Sequence, residues 1–394
     1  MRAIVLSGGG SKGAYQIGVW KALRKLRINY DIVTGTSVGA LNAALMTQDT
    51  FYKSLFLWNR LSFSDVLDEK INDNITKKEI YKKYANQAIK GGMKINNLES
   101  TVSKAMNIKK IYKSPINLGI VTVKSKGLKP VLLTKNEINP NELKDYLIAS
   151  ASCFPAFSKK NINGEAYIDG GLYDNLPINL AIDMGATEII AVDLDAIGIK
   201  KKVINKDIPV TYISPSSDIG PFLIFNKVNA RRAIRIGYND TMKKFKKLDG
   251  NKYSFKKDQL NKSYLKNYEK FKNELEKNIN KEILELGTYK KIINSKNWEK
   301  EYIEIIEQLG NIFEIDNSKI YDINNFNKMI IKEFEKTEKI DKFKNIIKTM
   351  DLKKILNKKL LIKNLYYNSS NKYISLFPNE FLMILYLKII IDKI

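Results

Sequence analysis

Asp31-Ile32-Val33-Thr34-Gly35-Thr36-Ser37-Val38-Gly39-Ala40 opens as a β-branched run, breaks at a Gly-Thr-Ser-Val-Gly turn and continues as a helical pattern. The spacing predicts a strand over 31–34 and a helix over 38–47, with Ser37 on the sharp turn between them. Such an elbow lifts a serine hydroxyl clear of an α/β sheet, where it is exposed as a nucleophile. The hydroxyl attacks well only when a base takes its proton, and that base is usually an imidazole. This chain has no histidine. Another residue type must serve, and the candidate is Asp169 in Tyr167-Ile168-Asp169-Gly170-Gly171. Asp174 and Asp183 lack the flanking Gly-Gly that lets a backbone turn sharply, which makes them weaker candidates.

Upstream, Gly8-Gly9-Gly10-Ser11-Lys12-Gly13 follows a predicted strand over 2–7 and opens a predicted helix over 13–26. Successive small residues at that junction let backbone N–H groups point into a cavity, beside a helix N-terminus whose partial positive charge favours an anion. The loop fits G-x-G-x-x-G, so a dinucleotide pyrophosphate is one candidate. That reading needs an acid at the end of the second strand, whereas Asp31 begins it. A nucleoside-triphosphate loop fits worse, since Gly-Lys-Ser/Thr is absent and Lys12 precedes Gly13. The third candidate is the oxyanion of a tetrahedral acyl intermediate, and it alone uses Ser37. Lys12 reads either as a loop-orienting, phosphate-attracting residue or as a solvated helix-start residue. Cys153 reads as a small packing residue.

Together these residues resemble the patatin-like phospholipases, over about residues 1–245. Gly8 to Gly13 look like the oxyanion loop of that family, and Gly35-Thr36-Ser37-Val38-Gly39 looks like its nucleophile elbow. Asp169-Gly170-Gly171 looks like its Asp-Gly-Gly/Ala motif, whose aspartate completes a Ser–Asp dyad without histidine. Ala149-Ser150-Ala151-Ser152-Cys153-Phe154-Pro155-Ala156-Phe157, Leu172-Tyr173-Asp174-Asn175-Leu176-Pro177 and Gly185-Ala186-Thr187 are similar to segments of its bacterial members. The resemblance implies a three-layer α/β fold with a largely parallel central sheet. It also implies a serine hydrolase that cleaves carboxylic esters of phospholipids or lysophospholipids, with Ser37 as nucleophile and Asp169 as general base. Two rival functions remain in view: an idle, membrane-associating interaction protein, and a dinucleotide-binding enzyme.

At 394 residues the chain exceeds what one core usually organises. Residues 1–250 alternate strand and helix patterns, with strands predicted over 2–7, 31–34, 117–123, 130–134, 188–193 and 209–213. Helices are predicted over 13–26, 38–47, 78–90, 98–106, 140–151 and 177–184. Residues 251–394 hold two glycines and one proline and read as a mostly helical region of unknown role. Tyr268, Phe271, Leu275, Ile279, Ile283 and Leu286 form an apolar stripe there at helical spacing. The late apolar run 381–387, broken at Lys388 and resuming over 389–391, is too short to span a bilayer but offers a segment able to peel onto one. An acyl chain needs an apolar wall, and Phe51, Leu55, Phe56, Trp58, Phe63, Tyr81 and Tyr84 are the candidates.

Lys and Arg outnumber Asp and Glu by 67 to 42, a net charge of +25. The lysines are interleaved with acids, which reads as solvated faces, while a surface of this sign also suits acidic lipid headgroups. No nucleic-acid signature accompanies the charge. A lipid ester is the expected partner, with peripheral association at an anionic membrane, and the oligomeric state is open. With no histidine and one cysteine, composition excludes an N/S-ligated zinc site, and no cofactor is expected. Because Met1 to Ser7 run straight into the glycine loop, without a removable signal, the expected location is cytoplasmic, at the inner membrane face.

Overall fold

Ala3-Ile4-Val5-Leu6 is apolar at every position, as a strand covered on both faces must be. In the computed structural model it forms β1 (Arg2–Leu6), inside an eight-stranded sheet. The other strands are β2 (Ile32–Thr36), β3 (Asn117–Lys124), β4 (Lys129–Thr134), β5 (Lys160–Ile162), β6 (Glu165–Asp169), β7 (Glu188–Val192) and β8 (Val210–Ile213). Their order is β5-β6-β3-β2-β1-β7-β8, with β4 also paired to β3. Pairs within β3-β2-β1-β7-β8 are parallel, and β4, β5 and β6 make antiparallel pairs. The structure describes residues 1–69, 71, 75–278, 298–338, 357–367 and 371–392.

Parallel neighbours need crossovers, and helices supply them. In chain order they are α1 (Ala14–Lys25), α2 (Val38–Thr47), α3 (Phe51–Arg60), α4 (Lys77–Ala88), α5 (Asn96–Ala105), α6 (Ile108–Lys113), α7 (Leu143–Ser150), α8 (Ile178–Asp183) and α9 (Lys227–Lys244). Alternation sends Ala3 and Val5 of β1 to one face, where they pack with Ile178 and Ala181 of α8. On α2, nine of ten residues from Val38 onward are buried, so it is an internal helix rather than a surface one. The expected α/β fold with a mostly parallel central sheet is the one observed. The pattern did not announce α3, α6, α9 or the β5–β6 hairpin.

The chain divides into two compact units, Met1–Lys244 and Phe245–Ile394. The first contains the sheet. The second contains a small sheet of β9 (Leu248–Asp249), β10 (Ser254–Lys256) and β11 (Ile320–Tyr321). Its helices are α10 (Gln259–Asn278), α11 (Trp298–Ile312), α12 (Ile323–Lys336), α13 (Lys358–Tyr367), α14 (Asn371–Leu376) and α15 (Pro378–Ile391). The predicted stripe places Phe271 and Leu275 of α10 in this unit's core, with Tyr268 half-buried; Ile279, Ile283 and Leu286 lie outside the described residues. One expectation is corrected. The run 381–391 is α15, which packs against α10, α11, α12 and α13 with Phe381 to Leu387 all buried. A helix apolar on every side belongs inside a core, so this segment is not a free membrane flap. No described helix is long and apolar enough to cross a membrane.

Candidate active site

β2 ends at Thr36 and α2 begins at Val38, so one residue, Ser37, makes the whole change of direction. Its backbone sits at φ 57° and ψ −129°, a region that costs a non-glycine residue on the order of 1–3 kcal/mol. Two glycines make the turn possible. A Cβ on Gly35 would lie 2.3 Å from the Gly39 carbonyl oxygen, and a Cβ on Gly39 would lie 2.3 Å from that of Leu6. The Ser37 N–H donates to Ser150 Oγ at 2.9 Å, and the Ser150 hydroxyl donates to the Val121 carbonyl at 2.6 Å. The strained peptide is thereby pinned to β3 through the last residue of α7.

The strand β3 also positions the aspartate. Thr36 is in register with Val121, and Asp169 with Thr122, so the carboxyl ends of β2 and β6 arrive at consecutive residues of one strand. Gly170 lets them close up: a Cβ there would lie 2.1 Å from the Val121 carbonyl oxygen and 3.0 Å from Thr36 Cγ2. The Asp169 carboxylate accepts the Gly171 N–H at 2.8 Å, and the Ser37 hydroxyl is near enough to lower its pKa as a hydrogen-bonding neighbour. Burial raises the Asp169 pKa to about 6, against the pull of those two hydrogen bonds. The two residues nominated from the sequence are neighbours, brought together by adjacent positions of β3.

The glycine loop divides its N–H groups. Gly8 donates to the Asn175 carbonyl at 3.1 Å, Ser11 to the Phe222 carbonyl at 2.9 Å and Lys12 to the Gly9 carbonyl at 3.1 Å. Among the described residues, Gly9 and Gly10 N–H take no such acceptor, and Gly10 shares a cavity with Ser37. Ser11 Oγ donates to the Pro221 carbonyl at 2.7 Å. The Lys12 ammonium donates to the Asp195 carbonyl at 3.3 Å, and Gly13 begins the turn into α1. Asn42 Nδ2 donates to the Gly13 carbonyl at 3.0 Å and to Gln16 Oε1 at 2.8 Å, while Gln16 Nε2 reaches the Ser7 carbonyl at 2.7 Å. Loop, elbow helix and α1 are thus one hydrogen-bonded unit.

From Ser37 an apolar slot runs along α2, past Val38, Leu41 and Leu45, with Trp58, Val102, Met106 and Phe225 among its walls. Of the wall residues nominated from the sequence, only Trp58 lines it. Phe51 and Leu55 border a different cleft, Phe63 packs edge-on against Phe225, Tyr84 donates to the Leu223 carbonyl at 3.0 Å, and Phe56 and Tyr81 are exposed. Sequence reasoning missed the walls because they come from α2, α5 and the 222–225 segment, which no local pattern links. It also missed Ser150 and Asn175, although both lie inside quoted motifs.

The other acids fall away from the elbow. Asp174 is raised to about 6 by burial, but its carboxylate accepts the Leu176 and Lys201 N–H groups, at 3.2 and 3.3 Å. Asp183 is exposed at the end of α8. Asp31 accepts the Arg2 N–H at 2.9 Å at the start of β2, the wrong end for a ribose bound at the glycine loop. Cys153 lines the slot, and burial and the Asp169 charge push its thiol up to about 12, which keeps it protonated.

The family model for patatin-like phospholipase matches residues 4–182. Patatin-like phospholipase domain-containing protein 7 of Rattus norvegicus is 27% identical over 202 residues, 49% of this chain and 13% of its own length. Lysophospholipase nte1 of Aspergillus terreus is 52% identical over 46 residues, 12% of this chain and 3% of its own length. The matched region therefore spans only a small part of these curated relatives. The crystal structure of VipD from Legionella pneumophila covers 98% of this chain and 90% of its own, at 14% identity and a TM-score of 0.40, a likeness too remote to inform function. The glycine loop, the serine elbow and the aspartate turn all lie within residues 4–182, the stretch that matches the patatin-like phospholipase model.

Proposed function

We propose that this chain is a lipid ester hydrolase that cleaves carboxylic esters of phospholipids or lysophospholipids through an acyl-Ser37 intermediate. The placing of Ser37 beside a buried aspartate, at the head of an apolar slot, carries the reading. The names of the relatives, phospholipase domain protein and lysophospholipase, support it. In the first step Ser37 Oγ attacks the ester carbonyl carbon while Asp169 takes the hydroxyl proton. The carbonyl oxygen becomes an oxyanion facing the Gly9 and Gly10 N–H groups, with the Val38 N–H at the start of α2 as a further donor. Collapse breaks the carbon–oxygen bond, and Asp169 returns its proton to the departing alcohol. Water then loses a proton to Asp169 as it attacks the acyl-serine, and the fatty acid leaves Ser37 reprotonated.

An aspartate at its ordinary pKa would be a feeble base at neutral pH. Raising it to about 6 brings its basicity closer to the operating range while leaving it mostly ionised at pH 7. The net charge of +25 supports peripheral association with an anionic membrane surface, and we place the chain at the cytoplasmic face of one. The test is covalent labelling by a fluorophosphonate, together with turnover of lysophosphatidylcholine. Ser37→Ala removes the label, and both Ser37→Ala and Asp169→Asn lower turnover at least ~10³-fold. Labelling at another residue, or full turnover in either variant, overturns the assignment.

A further inference from the structure

Between β7 and β8 the chain reads Ala196-Ile197-Gly198-Ile199-Lys200-Lys201-Lys202-Val203-Ile204, and it holds large aliphatic side chains out in water. Ile197 is 92% exposed, Ile204 80%, Ile199 53% and the neighbouring Leu172 48%. A floppy loop would bury such side chains or let them average out. This one is fastened along its length. Leu194 N–H donates to Ser7 Oγ at 2.8 Å, beside the glycine loop, and the Lys12 ammonium holds the Asp195 carbonyl at 3.3 Å. Ile199 N–H donates to the Gly171 carbonyl at 2.9 Å, Lys201 N–H to Asp174 Oδ1 at 3.3 Å and Ile204 N–H to Asn179 Oδ1 at 3.0 Å. The segment is therefore held by hydrogen bonds on both sides of Ile197, against the glycine loop, the 171–174 turn and Asn179 of α8.

We propose that this segment, with Leu172 and Tyr173, is the surface by which the domain docks on an anionic lipid bilayer. The proposal rests on the reading of the site as a lipid hydrolase, and it names the face that meets the lipid. Charge complementarity favours that occupant. Residues 193–204 carry Lys200, Lys201 and Lys202 against Asp193 and Asp195, and Lys200 already neutralises Asp193 at 2.6 Å. The Lys201 ammonium lies 4.2 Å from the Tyr173 ring centroid, which joins a cation to an amphipathic aromatic of the kind found at headgroup depth. Aliphatic tips beside lysines match the boundary between headgroups and acyl chains. A protein partner is usually gripped by aromatic or arginine anchors seated in a packed pocket; residues 193–204 contain none, and Tyr173, the one aromatic of the face, is covered by the Lys201 ammonium.

The experiment uses the full chain carrying Ser37→Ala, so that vesicles survive, and co-sediments it with phosphatidylglycerol/phosphatidylcholine vesicles. Adding Ile197→Asp, and then Ile204→Asp, lowers the bound fraction at least tenfold, while both variants melt like the parent. In chains with Ser37 restored, Ile197→Asp lowers turnover of vesicular phospholipid by a similar factor and leaves turnover of a monomeric short-chain ester unchanged. Undiminished vesicle binding by the double variant overturns the proposal. So does an equal loss on the monomeric ester, which would make the segment part of the catalytic framework. Concentration-dependent self-association that Ile197→Asp abolishes without lipid assigns the face to a second copy instead. A wild-type chain that hydrolyses nothing, while its Ser37→Ala form still binds vesicles through Ile197, refutes the catalytic reading and leaves the docking face standing.

Discussion

The proposed mechanism asks Asp169 to do two things that conflict. As a base it must be ionised, yet its surroundings disfavour the charge and hold its pKa near 6. Activity therefore requires the deprotonated form: kcat/KM rises about tenfold per pH unit up to about pH 6 and levels above it. A pH–rate profile flat down to pH 4 would exclude Asp169 as the base. The same shift bears on stability, with the opposite sense. The folded state holds the proton more tightly than the unfolded chain, whose aspartate titrates near 3.8. The ionised carboxylate thus costs nothing below about pH 4, and its cost grows as pH rises to about 6 and is constant beyond. Two pKa units correspond to roughly 2–3 kcal/mol. Asp169→Asn, which keeps an acceptor for the Gly171 N–H, is expected to be catalytically dead yet more stable than wild type at pH 8, with no gain at pH 3.5. Urea melts at the two pH values check both signs. Asp174→Asn, although its carboxyl also sits near 6, leaves the midpoint of the rate profile in place because Asp174 does not touch Ser37.

At the scale of elements, the site is a consequence of where three strands stop. β2 and β6 end against adjacent residues of β3, and α2 must start at once and pass within contact of β1. Gly39→Ala forces a methyl against the Leu6 carbonyl, and backbone cannot yield as a side chain can. The variant is expected to lose about 1–3 kcal/mol of stability and at least ~100-fold in turnover, since a 1 Å displacement of the proposed nucleophile is that costly. Melting and esterase assays on one preparation test the pair, and wild-type turnover would mean that α2 slides without moving Ser37. This part of the fold was legible because its signals are local: β-branched runs, small residues at turns, and the Gly-x-Ser-x-Gly spacing. The β5–β6 hairpin was equally local and was overlooked. Asn163 and Gly164, at φ 50° and 83°, form the Asn-Gly turn that announces a two-residue hairpin. The slot was not legible at all. Leu41, Val102, Met106 and Phe225 meet only after the chain has folded, and no spacing in the sequence relates them. Aromatic density at 50–84 pointed instead to side chains that mostly serve the core or the surface.

For the whole molecule the question is which apolar residues are available to a membrane, and hydropathy alone answers it wrongly. The most apolar stretch, 381–391, is α15, and its buried positions include Leu385, Tyr386 and Leu387 in the core of the second unit. Tyr386 is fixed further by donating to Asn327 Oδ1 at 2.8 Å and by stacking edge-on with Tyr302 at 5.4 Å between ring centroids. Freeing α15 would expose that core, at a cost comparable to the stability of a whole domain, about 5–15 kcal/mol. Insertion of a short amphipathic face could not offset so much. The segment 196–204, by contrast, is less apolar by composition but already presents its aliphatic side chains to solvent, so docking it breaks no packing. Hydrogen exchange of the Ser37→Ala chain, with and without anionic vesicles, separates the two surfaces. Amides of 196–204 are expected to slow on vesicle addition, while those of 378–391 keep their protection unchanged. The long-range attraction from the net charge of +25 fades with added salt over a Debye length of about 8–10 Å near physiological ionic strength, whereas aliphatic insertion does not. Raising the salt to 0.5 M should therefore reduce the vesicle-bound fraction yet leave slowed exchange at 196–204 in the molecules that remain bound. Loss of protection in 378–391 on vesicle addition would instead make α15 the membrane element and the second unit the part that rearranges.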